Sequence, residues 1–295
     1  MSHETNVFLD YLASLPPVPA VPSAARDRRA LLAERFDSGP DDVLARSTRR
    51  NGIPVREFSP PPGLRAAGTL VYVHGGGWVA GDTRTHDGIC RWLCRESGYE
   101  VVSVEYRRAP ESKHPAAVED VVTVLLNIGS HASPGTPLAI AGDSSGAHIA
   151  LQAALVWSNT SRHDPLSRMI LIQPACDPTM SEKSWRVYGS AYFLTAKAMR
   201  WFWDSYIPVQ EQKPLWDADL SCLPDTLIIR STLDPSQDEA EVLARAMQSA
   251  GVNVDERCLE DLPHGCLTMP AAFPSAVGHT IAAAHWLRAL PPTAP

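Results

Sequence analysis

Leu138-Ala139-Ile140-Ala141-Gly142-Asp143-Ser144-Ser145-Gly146-Ala147-His148 decides how the rest of the chain reads. Leu138 to Ala141 is a short apolar strand, and a helical pattern runs from Ser145 to Trp157. Between them stands a G-x-S-x-G, Gly142 to Gly146. A sharp strand-to-helix turn forces its middle residue into a strained backbone and demands small neighbours. The turn pushes Ser144 Oγ beyond the strand end. The helix N-terminus behind it offers N–H groups and a partial positive charge. Ser144 is therefore a candidate nucleophile, and Ser145 is better placed as an N–H donor.

Working outward, the same β/α rhythm continues on both sides. Strands are expected at Thr69 to Val73, Tyr99 to Val104, Met169 to Gln173, Thr226 to Ser231 and Val254 to Leu259. Helices are expected at Gly88 to Ser97, Pro115 to Ile128, Pro235 to Ala250 and Ala276 to Leu290. Apolar strands alternating with helices imply an α/β fold, a mostly parallel sheet covered on both faces. Val7 to Leu15 and Ala24 to Phe36 read as helices, with the proline-rich Pro16 to Pro22 turning the chain between them. Pro40 to Arg46 reads as a third, with Asp41 and Asp42 in its first turn. Ile53 to Phe58 alternates like an edge strand. Ser181 to Pro208 breaks the rhythm and is dense in aromatics, as helices inserted after the Met169 strand.

A chain of 295 residues, 44% of them hydrophobic, can bury a large core without disulfides or metals. Its net charge of −7 argues against nucleic acid as a partner. The six cysteines form no C-x-x-C pair, and Cys90 and Cys94, four apart, lack a second cluster to complete a metal site. Free thiols in a reducing compartment are expected. Met1 to Asp10 carries no signal-peptide pattern, and no run reaches the ~18 apolar residues of a membrane span. The expectation is a cytoplasmic protein with no membrane span.

A serine nucleophile needs oxyanion donors, a base and an acid that orients the base. His74-Gly75-Gly76-Gly77-Trp78 follows the Thr69 strand, and its glycines let backbone N–H groups approach a substrate. His74 itself reads as structural. With a nucleophile elbow the chain order is serine, acid, histidine. His148 points back into the body, His163 lies in a polar loop, and His279 and His285 lie in the terminal helix. His264, in Leu262-Pro263-His264-Gly265, sits in a loop just past a late strand and is the candidate base. Asp234, at the C-terminal end of the Thr226 strand, is the candidate acid. Asp225 is at the wrong end of that strand, Asp238 and Glu239 lie inside the next helix, and Asp261 is too close to His264.

These segments, with Tyr106-Arg107-Arg108-Ala109-Pro110-Glu111, Asp234-Pro235 and His264-Gly265, resemble the hormone-sensitive-lipase-like esterases, a branch of the α/β-hydrolases. The resemblance covers roughly residues 50 to 290. It implies a Ser144, Asp234, His264 triad, with Gly76, Gly77 and Ser145 giving the oxyanion N–H groups. It implies an N-terminal helical cap segment over 1–50, and a catalytic domain over 51–295 with a cap insert at about 181–208. The implied activity is hydrolysis of small-molecule esters with short to medium acyl chains, through an acyl-enzyme and without cofactor. Pairing of two copies through a sheet edge is also compatible with it. An amidase or deacetylase would use the same triad, and a non-catalytic receptor would use only the pocket. Arg108, Ala147, Cys266, Ser236-Gln237 and the Glu260-to-Pro263 loop depart from the family pattern. They bear on pocket shape and substrate and leave the triad untouched.

Overall fold

A hairpin that the sequence reading did not anticipate begins the sheet. In the computed structural model, which describes residues 1–18, 20–64, 66–133, 135–160 and 164–289, the chain starts with helices α1 (His3–Ser14) and α2 (Pro22–Phe36). Strands β1 (Leu44–Arg50) and β2 (Ile53–Ser59) follow. Pro19, His163 and Leu290, on which expectations fell, lie outside the described residues. The helix expected from Pro40 to Arg46 is thus corrected to a turn and the start of β1, and the edge strand is β1, not Ile53 to Phe58. Asp41 and Asp42 imitate a helix start. β1 reads as polar because it is largely exposed. The overlooked signal is Asn51-Gly52. Arg50 pairs with Ile53 across these two residues, whose φ values are 46° and 85°, as a type I′ hairpin turn requires.

The remaining elements alternate. They are β3 (Thr69–Val73), α3 (Asp87–Ser97), β4 (Glu100–Val104), α4 (Ala116–His131), β5 (Leu138–Asp143), α5 (Ser145–Ser158) and β6 (Arg168–Ile172). Two helices, α6 (Lys183–Tyr188) and α7 (Ala196–Tyr206), are inserted before β7 (Thr226–Leu233). The chain closes with α8 (Gln237–Ser249), β8 (Val254–Pro263) and α9 (Pro274–Arg288). The sheet order is β1-β2-β4-β3-β5-β6-β7-β8. β2 runs antiparallel to both its neighbours, and the pairs from β4 to β8 are parallel.

Every residue of β5 and β6 is buried, which is why these strands read as continuous runs rather than alternating ones. Alternation survives as a division between two cores. Val71, Val73, Ile140, Leu171 and Ile228 face one, with α4, α5 and α8. Leu70, Tyr72, Ala139, Ile170 and Leu227 face the other, with α3 and α9. Each Val, Leu or Ile side chain among them contributes roughly 1.5–3 kcal/mol on burial. Phe8 of α1 packs edge-on against Phe36, Phe193 and Phe273, which joins the N-terminal helices to the insert and to α9.

From β3 the chain crosses to β4 on one side, then returns to β5 on the other. Loops leaving β3 and β5 therefore diverge, and the crevice between their carboxyl ends is where ligands bind in such sheets. Both glycine-rich motifs lie there. The hairpin turn gives a test of its own. No atom lies within 4 Å of a Cβ built on Gly52, so a side chain there meets only backbone strain. Gly52→Val should lower the unfolding free energy by about 1–2 kcal/mol, read from urea melts; an unchanged midpoint would argue that the turn is not left-handed.

Candidate active site

Gly142 and Gly146 make the elbow possible. A Cβ on Gly146 would overlap the carbonyl oxygens of Val73 and His74, and one on Gly142 would overlap the Gly146 backbone. The middle residue absorbs the turn: Ser144 has φ 54° and ψ −120°, a conformation that costs a non-glycine residue about 1–3 kcal/mol. Backbone bonds hold it there, from Ser144 N to Ile172 O (2.8 Å) and from Ala175 N to Ser144 O (3.3 Å). The hydroxyl is carried ahead of the first turn of α5.

His264 reaches this hydroxyl from the loop after β8. Its Nε2 is 2.9 Å from Ser144 Oγ, and its Nδ1 is 2.8 Å from Asp234 Oδ2. Asp234 is fully buried at the end of β7. Its second oxygen, Oδ1, accepts from Ser236 N (2.9 Å) and Ser236 Oγ (2.8 Å). One carboxylate oxygen is thus left to orient the imidazole. The three residues read from chain order stand in one hydrogen-bonded line. His148, His279 and His285 are elsewhere: His148 is buried among Trp78, Trp203 and Tyr206, and the other two lie on α9.

The glycine loop after β3 packs directly onto the elbow. Gly75 N donates to Asp143 Oδ1 (2.9 Å), and Trp78 N donates to Ser145 Oγ (3.1 Å). Gly76 (φ 121°) and Gly77 (φ 62°) lie between these two anchors, in conformations that favour glycine. Among the described residues their N–H groups, and that of Ser145, donate to no protein acceptor. They remain available for an anionic oxygen. His74 is a packing residue, stacked on Tyr106 at 4.2 Å, and burial pushes its imidazole down to about 3. Arg108, a departure from the family pattern, donates to Gly81 O (2.6 Å) and so braces this loop.

Three residues escaped the sequence reading. Gln173, at φ 45° just after β6, accepts from Gly265 N at Oε1 (2.7 Å), while its Nε2 donates to Ser231 and to Pro263 O (3.1 Å). It ties the histidine loop to the sheet. Ser236 holds the acid, as above. Asp143, inside the motif itself, accepts from Tyr72 OH (2.7 Å) as well as from Gly75. Burial works to raise its pKa, but His86, Tyr72 and Arg29 outweigh it and hold the carboxyl well below the usual range.

The insert meets the site with two kinds of aromatic. Trp203 and Tyr206 are buried and pack on Trp78, at 4.2 Å and 4.7 Å, so Trp78 is a support for the glycine loop rather than a lining residue. Phe202 and Phe193 are half-buried. Phe202 lies against Gly77, and Phe193 against Gly265.

A family model described as alpha/beta hydrolase fold matches residues 70–268. A carboxylic ester hydrolase of Mycobacterium tuberculosis, LipN, is 36% identical over 234 residues, covering 74% of this chain and 61% of that protein. An ethyl acetate hydrolase of Pseudomonas putida is 30% identical over 263 residues, covering 84% of this chain and 82% of that protein. The crystal structure of a thermostable esterase from Pseudomonas putida ECU1011 superposes with a TM-score of 0.89 at 25% identity, over 97% of this chain and 96% of that one. These likenesses agree with the resemblance drawn from the motifs. Among the described residues no helix is long and apolar enough to cross a membrane.

The cluster beneath the glycine loop carries a pH signature. Burial, then the charge of His114, lowers the His148 pKa from 6.5 to about 3, and His148 Nδ1 is buried without a partner. The folded protein keeps the ring neutral, while the unfolded chain takes up a proton below 6.5. Stability is therefore lost as pH falls from 6.5 toward 3. His148→Phe should make that decline shallower and leave the protein at least as stable at pH about 5; a slope equal to wild type in denaturant melts would refute the assignment.

Proposed function

The chain belongs to the α/β-hydrolase fold family, and from that premise we propose how it acts: it is a carboxylic ester hydrolase that works through a serine acyl-enzyme. Ser144 Oγ attacks the ester carbonyl as His264 Nε2 takes its proton. The N–H groups of Gly76, Gly77 and Ser145 receive the oxyanion, each such donor typically contributing about 3–4 kcal/mol to lowering the barrier. The alcohol leaves with the proton from His264, and water then attacks the acyl-enzyme by the same route. Asp234 fixes the ring so that Nε2 faces the serine. The observation that carries this reading is the unbroken line from Asp234 through His264 to Ser144.

The substrate side of the reading is a small, uncharged ester with a short acyl group. Support comes from Phe202 against Gly77 and Phe193 against Gly265, which flank the oxyanion donors and the base with apolar rings. The ethyl acetate hydrolase relative points the same way. The N-terminal helices and the insert act together as the cap, as the Phe8–Phe193 contact favours.

Hydrolysis of p-nitrophenyl esters from acetate to decanoate tests this directly. Rates should be highest at the short end. Ser144→Ala should lower kcat by about a thousandfold or more and abolish labelling by a fluorophosphonate. Labelling of wild type without turnover on any ester would favour an amidase, and no labelling at all would defeat the serine mechanism.

A further inference from the structure

Three separate segments must be held in register for the proposed reaction: the elbow, the glycine loop and the histidine loop. One buried side chain that belongs to none of them is hydrogen-bonded to the histidine loop through Thr268 and lies beside the other two through His86 and Asp143. Arg29 lies on α2, and its Nη2 donates to Thr268 Oγ1 (3.1 Å) and Thr85 O (3.2 Å). The same nitrogen is 3.1 Å from His86 Nε2. Thr268 Oγ1 passes the link on by donating to Gly265 O (2.9 Å), the residue after His264. His86 Nε2 stands 3.4 Å from Asp143 Oδ2, next to Ser144. Asp143 Oδ1 in turn accepts from Gly75 N, the start of the glycine loop. Arg29, His86, Thr268 and Asp143 are all buried.

We propose that Arg29 is a positioning residue for the hydrolysis, setting the placement of the histidine loop relative to the elbow and the glycine loop from a helix outside the catalytic sheet. The inference rests on the serine-esterase reading given above. Its physical basis is the short working range of the groups involved. Misplacing a reacting group by about 1 Å costs on the order of a hundredfold in rate. Charge-assisted hydrogen bonds in a buried setting are the ones stiff enough to prevent it. The cation also adds to the favourable charge that His86 places beside Asp143, a buried carboxylate.

The geometry distinguishes this role from a general need for arginine. All three partners converge on Nη2, and Nη1 is buried without a hydrogen bond. The guanidinium is not used as a fork here. A lysine ammonium, with three donors on one nitrogen, can serve a site of this form, although it cannot replace a bidentate arginine.

The test compares Arg29→Met and Arg29→Lys on p-nitrophenyl butyrate, with wild type and Ser144→Ala alongside. Arg29→Met should lower kcat by about 10- to 100-fold with KM changed less than about threefold. Arg29→Lys should recover most of that loss. Thr268→Val, which removes the hydroxyl that links Arg29 to Gly265 while leaving the Thr85 and His86 contacts of Arg29 in place, and which should fold even if Arg29→Met does not, should lower kcat by about 3- to 10-fold at unchanged KM. The proposal is overturned if Arg29→Met and Thr268→Val keep wild-type kcat, if the loss falls on KM alone, or if Arg29→Lys is as impaired as Arg29→Met. An inactive wild type, or an active Ser144→Ala, would instead defeat the esterase reading itself.

Discussion

The structure depends on one close approach, between the end of β3 and the start of α5. Gly146 lies against the carbonyls of Val73 and His74 with no room for a side chain. That contact brings α5 and the glycine loop together, with Ser144 turned to φ 54° and ψ −120° between them. Strain at one residue persists only where its surroundings over-determine it. Here the over-determination is visible. The residue before the serine is bonded to the glycine loop, the residue after it is bonded to Trp78, and the serine's own N–H and C=O are bonded to the sheet and to Ala175.

Two buried acids near this junction show how charge is managed. Asp143 and Glu239 are both removed from water. Glu239 accepts from Cys176 N (2.9 Å), Asp177 N (3.0 Å) and Trp185 Nε1, yet burial pushes its pKa up to about 8. Asp143 has no more hydrogen-bond donors than Glu239, yet its carboxyl is held low. The difference is the company each keeps. His86 and Arg29 act on Asp143, whereas the charge that acts on Glu239 is that of Asp177, another acid. At Glu239 the neutral donors do not offset burial, whereas at Asp143 the neighbouring His86 and Arg29 do. Glu239 can therefore anchor Trp185 and the loop after β6, but of the two only Asp143 offers a negative charge beside Ser144.

Much of this was legible in the sequence, for identifiable reasons. Ser144 and Asp234 each follow a strand with an apolar run, Leu138 to Ala141 and Leu227 to Ile229, so those strand ends could be found; β8 before His264 is largely polar, and there chain order and the loop position did the rest. β1 was not legible from hydrophobicity because Arg46, Ser47, Thr48, Arg49 and Arg50 cover no core. Only the Asn51-Gly52 turn betrayed it. Gln173 and Ser236 were missed because their partners depend on the register of β6, β7 and β8, which no local pattern encodes. Arg29 was hidden for another reason. α2 carries several arginines, and only the helical spacing Arg26, Arg29, Leu32, Ala33 separates those facing the body from the rest.

The insert shows why aromatic density was an ambiguous signal. Its eight rings divide by burial into different tasks. Trp203 and Tyr206 sit beneath the glycine loop, packed on Trp78 and on His148 of α5. They make α7 continuous with the support of the glycine loop, so α7 could not move away without uncovering Trp78, a fully buried residue at φ 61°. Burial of rings this size dominates local energetics. Phe202, on the same helix between Trp201 and Trp203, is thereby fixed against Gly77. Phe193 lies outside any helix and is held by Phe8 from the N-terminal segment. The two half-buried rings beside the site are thus positioned differently, one by α7 packed on Trp78 and one by the N-terminal helix α1.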